Sequence, residues 1–174
     1  MRFDKADRLW RYLGACLVGS AVAGIVIAMG GGAGAASAPA PAVNITPGPY
    51  HNDQFINVSV GPNRYFKPYS AINIIECADP GGKTKNLPIN VTSCDGNTIQ
   101  GNTILVQPNG SFSEHKYQLF ALPNASELGE TQGTLPVCNQ KKFCVLYIGQ
   151  NQENFTAPKI FSTPFRISKS SKLS

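Results

Sequence analysis

The run from Ala71 to Cys77, Ala-Ile-Asn-Ile-Ile-Glu-Cys, constrains the fold more than any other stretch of the chain. Apolar and β-branched side chains fit a pleated, buried surface, so the run reads as a central strand ending on a cysteine that faces another at Cys94. Short β-rich runs on either side, each closed by Gly, Pro or Asn, read as its neighbours in a sandwich anchored by this strand and its disulfide.

A disulfide needs an oxidising compartment, and residues 1–38 read as the route to one. Arg2, Lys5, Arg8 and Arg11 give a basic start, Leu13 to Met29 is an uncharged apolar run, and small residues fill Gly30 to Ala38. That is the layout of an export signal, with cleavage expected near Ala35 to Ala38. A retained anchor is the alternative, because the run is close to the ~20 residues that span a bilayer. Leu13-Gly14-Ala15-Cys16 imitates a lipidation box, but the apolar run follows Cys16 instead of preceding it, which makes the match accidental. Export places the chain in the medium or the cell envelope, and a membrane is involved only if the leader stays.

Removing the leader leaves about 135 residues, enough for one domain with one core. The formal charge of +5 shrinks as well: from Ala36 onward there are eleven basic and eight acidic residues, scattered along the chain, so no nucleic-acid footprint is implied. Four cysteines remain, Cys77, Cys94, Cys138 and Cys144. Sequential pairing is expected, since each pair brackets a Gly/Pro/Asn/Lys-rich segment able to form a hairpin tip. Loop closure gives roughly 3 kcal/mol for the larger ring and about 2.4 for the smaller. A zinc site would want close cysteine pairs or nearby histidines, and His51 and His115 lie far from the cysteines in sequence.

Further strands follow from alternation and turn residues. Ala42 to Thr46 reads as an edge strand stopped by Pro47-Gly48-Pro49, and Phe55 to Val60 as a strand burying its even positions before Gly61-Pro62-Asn63. After Cys77, Asp79-Pro80-Gly81-Gly82 opens a protruding loop that returns through Leu87 to Val91. Asn102 to Val106 and Ser111 to Leu119 flank Gln107-Pro108-Asn109-Gly110 and read as a hairpin. Phe120 to Pro136 is a long connection, Cys144 to Ile148 a nearly continuous apolar strand, and Thr163 to Ile167 the last strand. Residues 169–174 form a polar tail, expected to be disordered. Seven strands suit a β-sandwich domain over residues 39–168.

The order of these features resembles the neocarzinostatin family, secreted apoproteins that carry enediyne antibiotics. The resemblance rests on Ala40-Pro41-Ala42-Val43-Asn44-Ile45-Thr46-Pro47, on Ile74-Ile75-Glu76-Cys77, on Cys94-Asp95-Gly96-Asn97, on the Asn109 to Phe112 turn, and on the Cys138 to Ile148 segment. It implies an all-β, seven-stranded immunoglobulin-like sandwich with two sequential disulfides. It also implies a cleft, walled by disulfide-bearing ribbons, that holds an enediyne-type or other aromatic molecule without covalent attachment. Antibiotic binding and DNA binding are associations of the family. No catalytic residues and no metal or other cofactor are implied. Where the archetypal member has an aromatic two residues after the first cysteine and a glutamine after the last, this chain has Asp79 and Val145.

An aromatic ligand wants apolar and π surfaces with a few orienting polar groups. Phe120 and Leu122 fall where the family puts an aromatic near its ligand, and Tyr147, Glu76 and Phe143 are further candidates. Each has a plain structural reading too: the rings and Leu122 as core or a lid on it, Glu76 as a strand end in water. Ser111 or Ser113 with His115 and a distant Asp is the one conceivable triad, but there is no nucleophile elbow, metal motif or phosphate loop, and an enzyme is not expected. Asn-X-Ser/Thr triplets at Asn44, Asn57, Asn90, Asn109, Asn124 and Asn154 read as turn and strand asparagines, or as glycan acceptors in a eukaryotic source. Two function classes follow: a monomeric secreted carrier of a small apolar molecule, or an exported interaction or adhesion module with a closed cleft.

Overall fold

A computed structural model describes residues 38–82, 87–100, 103–123, 136–151 and 154–169. The expected export leader and the 169–174 tail lie outside the described residues except for Ala38 and Lys169, as do the middle of the first disulfide loop and most of the 120–136 connection. Ten strands run through the described parts: β1 (Val43–Ile45), β2 (Tyr50–His51), β3 (Phe55–Val60), β4 (Ala71–Asp79), β5 (Cys94–Asp95), β6 (Ile104–Leu105), β7 (Phe112–Gln118), β8 (Phe143–Gly149), β9 (Lys159–Phe161) and β10 (Ile167–Ser168). They make a three-stranded sheet in the order β1-β3-β7, a five-stranded sheet in which β5, β4, β8 and β9 follow one another and β6 also pairs with β4, and a parallel β2/β10 pair.

β4 is central, as its composition demands. It runs two residues past Cys77 because β8 supplies an unbroken antiparallel ladder from Asn73↔Gly149 to Asp79↔Phe143. Successive residues of a strand face opposite ways, and here both faces are covered. Ile72, Ile74 and Ala78 of β4, with Leu146 and Ile148 of β8, join Ile56, Val58 and Val60 of β3 and Phe112 and Tyr117 of β7 in the main core. Ile75, Cys77, Val145 and Tyr147 point the other way into a second, smaller core, closed by Cys94, Leu87, Ile99, Phe155 and Phe161. This covering of both faces explains why the Cys144 to Ile148 sequence is apolar without alternation.

β3 buries Ile56, Val58 and Val60, the even positions expected. Its partner is less regular: Phe112 and Tyr117 are five residues apart and would face opposite ways in a regular strand, yet both enter the main core. A bulge reconciles them, with His115 and Lys116 of β7 set against Asn57 of β3 between the Val58↔Glu114 and Ile56↔Tyr117 pairs.

The turn at Gln107 to Ser111 forms, with Gln107 N–H donating to the Ser111 carbonyl at 2.8 Å, but it does not close a hairpin. β6 pairs with β4 and β7 with β3, so the turn carries the chain from one sheet to the other. The cause is the Asn63 loop, which docks on the turn: the Asn63 side chain donates to the Gly110 carbonyl at 2.5 Å, and its backbone N–H to the Asn109 carbonyl at 3.0 Å. Gly110 has φ +84, and a Cβ there would fall 2.0 Å from the Asn63 carbonyl oxygen.

Both disulfides are sequential, Cys77 to Cys94 and Cys138 to Cys144, as the spacing indicated. Cys77 and Cys94 are direct cross-strand partners. The first loop packs Leu87 on the second core and enters Cys94 through a 3-10 turn, Val91–Ser93, capped by the Asn90 side chain. Asparagine caps of this kind account for three of the Asn-X-Ser/Thr triplets. In Asn90-Val91-Thr92, Asn109-Gly110-Ser111 and Asn154-Phe155-Thr156 the asparagine Oδ1 accepts from both the backbone N–H and the hydroxyl two residues on.

Candidate functional site

Glu76 departs furthest from expectation. Read as a strand end in water, it is instead 0% exposed, because β4 continues beyond it while β5 and the 3-10 turn Gly96–Thr98 cover it. Both of its carboxyl oxygens accept from the Phe120 N–H, at 3.0 and 3.2 Å, and its own N–H donates to Thr98 Oγ1 at 2.8 Å. Thr98 in turn donates to the Asp95 carbonyl and accepts, at its own carbonyl, from the Tyr117 hydroxyl. Burial pushes the Glu76 carboxyl well above the usual range; the Phe120 N–H opposes the shift and nearby Asp95 adds to it. Tyr117 is raised well above the phenol range, by burial first and then by the Glu76 charge. The Glu76 carboxyl ties the start of the 120–136 connection to β4, and the Asn52 side chain holds it from the other side by accepting from the Ala121 N–H.

The remaining candidates are spread over three places. Phe120 is half-buried against the main core, and Leu122, 2% exposed, lies within it and bridges to Cys138. Tyr147 points to the opposite face of the sheet, stacked on Phe155 at 4.8 Å with its hydroxyl donating to the Asn151 carbonyl. Gly149 leaves room for that hydroxyl, since a Cβ there would meet it at 2.4 Å. Phe143 is half-buried at the end of the small disulfide ring, under the Arg166 guanidinium. Phe120 therefore does not wall the side of the sheet that faces the Cys77 to Cys94 loop. Leu87 and Ile99 fill that side, and Phe120 packs on the other core.

Open depressions lie elsewhere. One, of about 710 Å³, separates β6 from β7 and is lined by Val60, Ile104, Leu105, Phe112, Ser113 and Glu114 among others. A second, of about 620 Å³, lies beside the Cys138 to Cys144 ring, with Pro49, Tyr50, Gln140, Phe165, Arg166 and Ser168 in its walls. Tyr50 and Phe165 meet edge to face at 5.1 Å, and the Tyr50 hydroxyl is tied to the Thr46 carbonyl at 2.7 Å. The only local hints of this site were two aromatics directly following prolines, Pro49-Tyr50 and Pro164-Phe165.

Two Ser/His contacts bear on chemistry. Ser113 Oγ lies 3.3 Å from His115 Nε2 on the exposed side of β7, and the Ser111 hydroxyl is taken by Asn109. Ser168 Oγ lies 2.6 Å from His51 Nδ1 and 3.0 Å from the Tyr50 carbonyl. A hydroxyl that gives its proton to a carbonyl accepts from the imidazole and is not activated by it, so this contact serves to clamp β10 to β2. Among the described residues no three His, Cys, Asp or Glu side chains are grouped to hold a metal ion, and no helix is long and apolar enough to cross a membrane. Comparison with family models, curated proteins and solved structures gave no match.

Proposed function

We propose that the chain is an exported, non-enzymatic binding protein of the neocarzinostatin type, an immunoglobulin-like sandwich that holds a small apolar or aromatic molecule in a surface depression. The observation that carries this reading is the hollow beside the second disulfide ring. Its volume of about 620 Å³ is in the range of small-molecule sites, and the Tyr50/Phe165 pair gives it fixed aromatic walls. This reading sets the ligand beside the second disulfide ring, where the family expectation sets it beside the first. The two disulfides fit an oxidising compartment and hence export. Equilibrium dialysis of the oxidised protein against a panel of polycyclic aromatic compounds tests the proposal. Saturable binding of at least one compound at one site per chain is expected, and no binding across the panel overturns it.

One observation favours the second class, an exported interaction module. Tyr69 is 72% exposed with φ 63, an unusual conformation for a bulky residue, and its N–H bonds to Val106 beside the exposed Leu105. Leu105 lines the depression between β6 and β7, and the two exposed apolar side chains, Leu105 and Tyr69, suit a protein partner. Loss of partner capture in Tyr69→Ser with small-molecule binding intact would assign that face to the second class.

A further inference from the structure

We propose that the depression beside the Cys138 to Cys144 ring selects planar aromatic carboxylates, with Arg166 as the anion-binding group. The inference rests on the carrier reading and names its ligand class. Arg166 is exposed, yet its guanidinium is stacked 4.1 Å from the centre of the Phe143 ring. No carboxylate pairs with it among the described residues, so its fork of N–H donors is held in place and left for another acceptor. The ring beneath is itself fixed. Phe143 is the last rung of the β4/β8 ladder, and Gly82 presses bare backbone against it, with so little room that a Cβ at Gly82 would fall 2.2 Å from the ring.

Surrounding charge has the same sign. Lys141 and Lys142 are exposed in the same disulfide ring, and exposed Lys169 follows β10. Of the described acids, Glu76 and Asp95 are buried beside β5, Asp79 is buried opposite Phe143, and Asp53 and Glu114 belong to the β2/β3 turn and to β7. Gln140 adds an amide at the wall of the depression. The Arg166 cation beside the aromatic walls of Tyr50 and Phe165 calls for a ligand with one anionic end and one flat apolar body. A carboxylate suits the guanidinium because the two planar groups can form paired hydrogen bonds. With Tyr50 tied by its hydroxyl and Arg166 by its stacking, the site is ordered before the ligand arrives, which lowers the entropy lost on binding.

The test uses the oxidised protein with anthracene-2-carboxylate as probe, and its neutral carboxamide as control, followed by ligand fluorescence. The carboxylate is expected to bind more tightly than the carboxamide. Arg166→Gln should weaken the carboxylate by roughly ten- to hundredfold and leave the carboxamide within about twofold, with Arg166→Lys falling between. Equal binding of acid and amide, or carboxylate affinity unchanged in Arg166→Gln, overturns the inference. If neither compound binds while another polycyclic does, selection of acids is refuted and the carrier reading survives; if no aromatic binds at all, both fall. Unfolding curves of the two variants matching the parent's establish that the change is local.

Discussion

Replacing Glu76 with Gln tests how a buried acid is accommodated in the middle of β4. In the folded chain burial raises its pKa above the ordinary 4.5, so the native state keeps a proton that the unfolded state gives up. Stability is therefore fully present below about pH 4.5 and declines as pH rises toward the raised value. Each pH unit in that window costs up to about 1.4 kcal/mol, a lowering of the melting midpoint by roughly 5 °C for a domain of this size. Glutamine keeps the shape and leaves Oε1 to accept from the Phe120 N–H, but has no proton to lose. Urea unfolding of parent and variant at half-unit steps from pH 4.5 to 7 reads the difference, in which other titrating groups cancel. The variant should gain on the parent steadily with pH. Parallel curves, or a parent whose stability rises relative to the variant, would refute the reasoning.

Other outcomes follow from particular contacts. Gly110→Ala should destabilise by more than about 1 kcal/mol in urea, because φ +84 disfavours alanine and the new methyl meets the Asn63 carbonyl. Leu122→Ala should cost about 2 to 5 kcal/mol, and Phe120→Ala less than the ~3 to 5 of a fully buried Phe, since Phe120 is only half-buried. Changing Cys77 and Cys94 together to Ser should cost about 3 kcal/mol by chain entropy, and non-reducing peptide mapping of the parent should find only the two sequential links.

Much of the strand framework is visible in the sequence because it rests on local pattern. Alternation marks β3, the apolar runs mark β4 and β8, and the cysteine spacing marks both rings. What local pattern cannot specify is which strand lies across from which. Pro-Asn-Gly at 108–110 encodes a turn whether or not the flanking strands pair, and here the docking of Asn63 sends them to different sheets. The β7 bulge is hidden for the same reason, since it shows only once Phe112 and Tyr117 are known to share a face. Glu76 misleads because a lone carboxylate before a cysteine signals an exposed end, and its cover comes from β5 and residues 96–98 further along the chain. The depression beside the second ring brings Tyr50 to Phe165 and Arg166 from the far end of the chain, through the parallel β2/β10 pair that no short window reveals.

The claim that a ligand binds beside the Cys138 to Cys144 ring is tested most directly by titrating the isotopically labelled, oxidised protein with anthracene-2-carboxylate and following its backbone amide resonances. Saturable shifts should concentrate at Tyr50, His51, Gln140, Phe143, Phe165 and Arg166, while the amides of Ile75, Val145 and Tyr147, in the filled second core, stay where they are. Shifts centred on Ile75, Val145 and Tyr147, or none at any saturating concentration, would contradict the account.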